Sequence, residues 1–487
     1  MRAVATVPPD VAKQSSVVLA TGPSKPESRW VAPVVTVLAV LVVARLGLRP
    51  VLDPDAWWHL KAGEYLLNGG PFVGKDPWSS FSTKPFILTQ WLPDIVASQV
   101  HALFGWPGVA WLRCAAVLGV LAAVFWSTRR VADTLPAILA ALGAVIGALG
   151  ALSERPQVVS FIFLAVTVGA WWATAADLRA RWWLVPMTWL WANSHGLWSI
   201  GLTVGCAVIV GLALDRRLSR PAFLKLSGVV AGSLVATSLT PVGPRLLVTP
   251  FEVAATAGPL VDEWQPSSAR DFTTATVLVM LAVVVVVALR SRARKPWWQI
   301  ALTAMAFGYT LLMVRTVAVG AVIAAPLLAE ALQQLRESPC ARPGKRGNWG
   351  IALLFIGVIA VAVPLAPILA GTPVGVPTKL SAALKALPAG SVILDEQRQS
   401  GWLLYTQPQL RLAIDLRSEV FDASYIRSYS DALAAKPGWD QFVKESGASA
   451  ALVPDDTPIV EALTRRLGWV IAARGDRYVL LRQGVRQ

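Results

Sequence analysis

FTTATVLVMLAVVVVVAL, residues 272–289, runs eighteen positions without a charged side chain before Arg290 ends it. That length approaches the roughly 20 apolar residues a helix needs to cross a ~30 Å hydrocarbon core. One such run could be a buried core helix, but similar runs recur along the whole chain. Spans are expected near 31–48, 107–127, 132–152, 157–176, 182–194, 197–214, 222–240, 272–290, 297–314, 316–333 and 350–370. The chain has 487 residues, of which 55% are hydrophobic and 15% charged, and its mean hydropathy is +0.55. That is too little polar surface to dress a soluble globule of this size. The expected fold is a polytopic α-helical membrane protein with about eleven transmembrane helices.

The net charge of +15 raises the question of nucleic-acid binding, which its placement answers. Basic residues gather in short breaks: Arg129-Arg130, Arg179 and Arg181, Arg216-Arg217 with Arg220, Arg290 to Lys295, and Arg336 to Arg346. These alternate with acidic or nearly neutral breaks, the positive-inside pattern that sets orientation. Nucleic-acid binding is therefore not expected. Eleven spans put the N-terminus inside and the C-terminus outside. Reading 182–214 as one broken span would move the C-terminal region inside, but it would also put Arg179–Arg181 and Arg216–Arg217 on opposite sides. Residues 1–29 are polar and read as a disordered cytoplasmic tail, with the first span as an uncleaved signal-anchor. Cys114 and Cys206 fall in spans and Cys340 in a cytoplasmic loop, so no disulfide is expected outside.

Charge on the outer face concentrates in two long loops, 49–105 and 241–271, and in the C-terminal region. The first begins RPVLDPDAWWHLKAGEYLLNGGPFVGKDPWSS, with Asp53 and Asp55 flanking Pro54. Paired carboxylates at a membrane surface can act as a general base on an acceptor hydroxyl, or hold a divalent cation (Mg or Mn) against a phosphate leaving group. The competing reading is structural, with Asp53 capping the following helix and Asp55 in its acidic first turn.

LDPDAWWHLKAGEYLLNGGPFVGKDPWSSF, followed by TQWLPDIVA, resembles the first external loop of the C-type (GT-C) multi-spanning membrane glycosyltransferase superfamily, whose members carry an acidic pair just beyond the first transmembrane helix. Asp53 and Asp55 match that pair. His59, Asp76, Trp91 and Asp94 lie where bacterial relatives carry polar or aromatic residues. SERPQ (153–157), WANSHGLWSIG (191–201), SLTPVGPRLL (238–247) and LVDEW (260–264) extend the resemblance over most of the chain. It implies an enzyme of the bacterial cytoplasmic membrane that moves a sugar from a polyprenyl-phosphate donor to a glycan, lipid or protein acceptor of the cell envelope. Oligosaccharyltransferase catalytic subunits carry Trp-Trp-Asp in an outer domain. None of the four Trp-Trp pairs here (57, 171, 182 and 297) precedes an Asp, so transfer to Asn sequons is not expected.

Further candidates each carry a structural alternative. Arg155, in a short outer turn, could grip a lipid phosphate through its guanidinium fork, pair with Glu154, or snorkel. Asn193 and His195 could bind substrate or be satisfied structural groups. Glu263 and Trp264 could hold a sugar hydroxyl beside an aromatic platform, and Arg315 could serve the phosphate. Trp57 and Trp58 could stack on sugar rings, although most of the 22 tryptophans suit the membrane interface.

From about residue 371 the apolar runs shorten to SVILDE, RLAIDL, ASAALVP, WVIAA and YVLLR, with helical stretches at 427–435 and 457–467. This pattern predicts an α/β domain on the outer side. Asp415 and Arg417 there could face a cleft or form a strand-end ion pair. Two other functions remain open to the sequence: a transporter or flippase, and a non-catalytic envelope scaffold. A transporter would favour mid-span charges and an internal repeat; the charges singled out lie at outer span ends.

Overall fold

Inside lipid an apolar run has no hydrogen-bond partner but its own backbone, so the long runs must be helices. The computed structural model describes residues 30–257, 262–291, 294–336 and 345–484; the expected tail 1–29 and Cys340 lie outside the described residues. Each of the eleven expected segments contains a helix. In chain order these are α1 (Val31–Gly47), α3 (Trp91–Thr128), α4 (Thr134–Gly147), α5 (Gln157–Asp177), α6 (Leu184–Ala192), α7 (Trp198–Leu214), α8 (Arg220–Thr237), α10 (Phe272–Ser291), α11 (Trp297–Leu312), α12 (Val317–Leu335) and α13 (Lys345–Ala370). Two more, α2 (Asp55–Leu67) and α9 (Thr249–Ala257), lie in the long loops. Among the described residues, five helices are long and apolar enough to cross a bilayer.

Two expectations need correction. The first loop is not loop to residue 105, because α3 already begins at Trp91 and is broken at Gly105 (φ +61°, ψ −154°). Glycine adopts that backbone without steric cost, so the part of α3 in the loop meets the apolar part at a kink. The segment 182–194 is helical over only nine residues, about 14 Å of rise, too short to be a span by itself. With its flanking turns it still climbs alongside α5. Arg181 at one end pairs with Asp177, and His195 at the other contacts Ser160, about 26 Å apart along α5 by the helical rise.

Helix α12 runs through the centre of the bundle, buried almost continuously from Val317 to Ala329. Its Ala residues and Gly320, where an added Cβ would run into Ala306 and Thr310 of α11, let neighbouring helices approach closely. At one end of the bundle Asp215 accepts from the Trp297 backbone N–H at 3.0 Å, and Gln333 reaches Asp133 at 3.2 Å; the basic breaks lie at this end. The acidic and neutral connections lie at the other.

At that other end the chain builds a short antiparallel ribbon, β1 (Val73–Gly74) with β2 (Phe86–Ile87), and a five-stranded mixed sheet of order β4-β3-β5-β7-β6. Its strands, β3 (Val392–Asp395), β4 (Arg411–Leu412), β5 (Ala448–Pro454), β6 (Val470–Gly475) and β7 (Tyr478–Arg482), fall in the five short apolar runs. Strands β3, β4 and β5 are parallel, and β7 is antiparallel to both its neighbours. Helices α14 (Ser381–Lys385), α15 (Gln397–Thr406), α16 (Ala423–Leu433), α17 (Trp439–Ser446) and α18 (Pro458–Leu467) complete this unit. Residues beyond the carboxyl ends of parallel strands commonly carry ligand contacts. Here those following β3 and β4 face the membrane helices.

The sheet and the first loop are joined by buried polar contacts. Arg417, fully buried, donates to Asp76 at 2.7 and 3.0 Å and also pairs with Asp415. The Asp415–Arg417 pair is thus a strand-end ion pair extended to the first loop. Tyr405 donates to Glu64 at 2.7 Å. Gly401 of α15 rests against the Pro54 carbonyl, where an added Cβ would lie 2.5 Å from that oxygen.

Candidate active site

A cavity of about 850 Å³ opens between the helix ends and the sheet. Its walls come from every connection at that end: Asp55, Trp58 and His59 after α1, Arg155 and Gln157 between α4 and α5, His195 between α6 and α7, Glu263 and Trp264 before α10, Arg315 before α12, and Arg398 and Arg417 from the sheet unit. A second pocket of about 120 Å³ touches Asp53, Arg155, Glu263 and Arg315 and runs along the ends of α4 and α12.

At the floor stands Arg155. Its Nε lies 2.8 Å from Asp53 Oδ2 and 2.9 Å from Asp55 Oδ2, and its Nη1 lies 2.6 Å from Glu263 Oε1. Burial alone would make the guanidinium easier to deprotonate, but Asp55, Asp53 and Glu263 outweigh it and raise its pKa. The Glu154 alternative is overturned: Glu154 instead pairs with buried Arg113. Arg113 Nε also donates to Gly47 O at 2.8 Å, and its Nη2 to Arg49 O. The sequence signal for this contact, absent from the candidates above, is the lone arginine in the apolar run 107–127, since a charge within a span needs a partner.

The structural reading of the acidic pair describes much of its geometry, with Asp53 just before the start of α2 and Asp55 in its first turn. Asp53 Oδ1 accepts from the Asp55 backbone N–H at 3.0 Å, tying off the first turn of α2, while its other oxygen meets Arg155. Asp55 faces the large cavity and accepts from Trp58 Nε1 at 3.0 Å. Burial raises the Asp55 pKa, Arg155 opposes that, and Asp53 adds to it.

Trp58 stacks on His59, with ring centroids 3.8 Å apart, and His59 Nδ1 lies 2.8 Å from Asp94. Trp57 is turned away from the cavity. It is buried against Trp106 and Tyr405, because adjacent helical residues point about 100° apart. Asn193 is also withdrawn: its Oδ1 accepts from Trp91 Nε1 at 2.7 Å and its Nδ2 donates to Trp189 O. His195 lines the wall with both ring nitrogens engaged, Nδ1 with Ser160 at 3.0 Å and Nε2 with Arg315 at 3.3 Å. Burial, then Arg315, holds its pKa well below the ordinary value, so the ring is neutral and accepts from Arg315. Arg315 also lies over Trp264, 5.4 Å from the ring centre.

Oxygen donors suit Mg or Mn, but the residues at Asp53 and Asp55 do not fit such an ion as they stand. Their carboxylates surround a guanidinium, and among the described residues no His, Cys, Asp or Glu group is arranged to hold a metal.

No family model matches the chain, and no curated protein matches it. Solved structures do. The Archaeoglobus fulgidus oligosaccharyltransferase superposes with TM-score 0.58 at 13% identity, covering 88% of this chain and 70% of that one. One of its structures is a complex with Zn and sulfate. ArnT from Cupriavidus metallidurans bound to undecaprenyl phosphate gives TM-score 0.54 at 14% identity, covering 94% of this chain and 99% of that one. Both neighbours have the C-type glycosyltransferase fold, and this chain has that fold too.

Proposed function

We propose that the protein is a membrane glycosyltransferase that moves a sugar from a polyprenyl-phosphate donor to an envelope acceptor at the outer face of the cytoplasmic membrane. The observation that carries this reading is the placement of Asp55 and two arginines, Arg155 and Arg315, in one polar cavity at the helix ends. Similarity to ArnT bound to undecaprenyl phosphate and to an oligosaccharyltransferase bound to an inhibitory peptide and a dolichol-phosphate supports the donor class.

In this mechanism the lipid phosphate lies in the smaller pocket against Arg315 and Arg155. Guanidinium groups match phosphate oxygens in geometry and charge. The sugar extends into the larger cavity beside Trp58 and Trp264, and the acceptor hydroxyl approaches from the sheet side. Asp55 takes the hydroxyl proton. The acceptor oxygen bonds to the anomeric carbon, and the bond from that carbon to the phosphate oxygen breaks, its electron pair leaving with the lipid phosphate. A positioned base contributes about 10²–10⁴-fold in rate. Asp53 is the better candidate for holding Arg155 than for proton transfer, because it touches the smaller pocket rather than the larger cavity.

The test is turnover of defined polyprenyl-phosphate sugars by the purified protein in detergent, with envelope lipid and glycan profiling to name the acceptor. Transport disappears without sealed compartments, whereas transfer does not. Movement of a lipid-linked sugar in sealed vesicles, with no transfer across a panel of donors and acceptors, would overturn the reading.

A further inference from the structure

Two carboxylates of the first loop, Asp53 and Asp55, and one of the second, Glu263, meet on a single side chain. Carboxylate oxygens are what a hard divalent cation would collect, at about 2.0–2.6 Å, but these three are spread over two guanidinium nitrogens and are not grouped to hold one. That side chain holds them at hydrogen-bond rather than coordination distances. The turn that carries it is anchored from behind, since the neighbouring Glu154 is held by Arg113, and Pro156 follows with φ −53°.

Two of its nitrogens, Nε and Nη1, are committed to the carboxylates, while the Arg155 side chain keeps 25% of its exposure and borders both cavities. Arg315 borders both as well, and its contacts are an imidazole and an indole face. Among the described residues it forms no ion pair. Two positive charges, one holding the carboxylates and one without a carboxylate of its own, flank the smaller pocket.

We propose that Arg155 is a built-in substitute for a divalent cation: it holds Asp53, Asp55 and Glu263 in place and, with Arg315, supplies the positive charge that meets an anionic phosphate, so the site works without a metal. The phosphate half of this statement rests on the glycosyltransferase reading; the metal half does not. A tethered guanidinium carries one positive charge against two for a metal ion, and Arg315 supplies the other. Unlike a metal ion, it cannot be removed by a chelator.

The experiment follows Mn²⁺ by electron paramagnetic resonance and by thermal shift, on the full-length protein in detergent. The wild type should show no stoichiometric Mn²⁺ binding, and its melting temperature should not respond to EDTA or to millimolar Mn²⁺. Arg155→Ala should gain Mn²⁺ binding and Mn²⁺-dependent stabilisation, because binding to the folded state alone raises its stability; adding Glu263→Gln should remove the gain. Stoichiometric Mn²⁺ binding by the wild type that Asp53→Asn abolishes would overturn the proposal. So would a folded Arg155→Ala protein that takes up no Mn²⁺. If Arg155→Ala does not fold, the wild-type titration decides alone.

Activity gives a separate readout. Chelator-treated wild type should keep its transfer rate within about twofold, whereas a ~10-fold or larger loss restored by Mg²⁺ or Mn²⁺ would overturn the proposal. A wild type that binds no Mn²⁺ and transfers no sugar would refute the glycosyltransferase reading and leave the metal half standing.

Discussion

Arg113 and Glu154 form an ion pair, each side chain at most 2% exposed, that joins α3 to the turn carrying Arg155. Arg113 also donates to the carbonyls of Gly47 and Arg49, four to six residues before Asp53. The acidic pair and its arginine are thus hung on one hidden bracket that touches neither cavity. Breaking a buried pair by removing one partner typically costs about 3–5 kcal/mol, whereas replacing both with apolar or neutral groups costs far less. Arg113→Ala should therefore lower the melting temperature in detergent sharply, and Arg113→Met with Glu154→Gln should recover most of it. Equal losses in the single and double variants would remove the bracket role.

Asp55→Asn keeps the size of the side chain and should retain the fold while losing about 10²–10⁴-fold in transfer rate. Stability separates this loss from unfolding. The folded-state pKa of Asp55 is raised, so the folded protein holds that proton more tightly than the unfolded chain. The stability from this group is present at low pH and lost as pH rises through the folded pKa. At neutral pH Asp55→Asn should accordingly be at least as stable as the wild type. Full activity would exclude Asp55 as the base.

The same shift sets the pH profile. Transfer needs Asp55 ionised, so kcat/KM should rise with pH on a limb above the usual carboxylate range. Asp53→Asn removes a charge that raises the Asp55 pKa and should move the limb down. Arg155→Ala removes one that lowers it and should move the limb up. Limbs that stay fixed in both variants would assign the titration to another group.

Gly401→Ala tests whether the sheet unit presses the acidic loop into register. The new methyl would meet the Pro54 carbonyl at 2.5 Å, and α15 is too well packed to yield without moving residues 53–55. Misplacing a catalytic group by about 1 Å can cost about 10²-fold. A loss of that order in kcat is expected in a protein that still folds, with stability lowered by the about 1–3 kcal/mol typical of overpacking.

Arg315→Ala should raise the donor KM by about 10- to 100-fold, the range for a lost charge-assisted hydrogen bond, and Arg315→Lys should recover part of it. His195→Ala removes the acceptor that steadies Arg315 and should weaken donor binding less. A response confined to kcat would place Arg315 at the transition state instead.

An activity reporter that works only outside the cytoplasm should be active when inserted near residue 75 or fused after the C-terminus, and inactive near 218. An inactive C-terminal fusion would put the sheet and cavity on the other side of the membrane.

Much of the protein could be read from local sequence. The apolar runs had no alternative to helix inside lipid, and their ends were marked by arginines on one side and acidic residues on the other. Asp53-Pro54-Asp55 announced itself because two carboxylates beside a membrane need a reason to be there. The five short apolar runs after residue 371 became the five strands of the sheet.

Partners were another matter. Arg155 lies 102 residues from Asp53 and 108 from Glu263, so its choice of these carboxylates over adjacent Glu154 depends on which turns the crossing helices bring together. Trp57 and Trp58 are neighbours of equal chemistry. Only the docking of α2 against α15 and the kinked α3 decides that one is buried while the other caps the cavity. Run length, charge order and period are properties of the chain within a few turns; ion-pair choice and side-chain facing follow from helix crossings between distant segments.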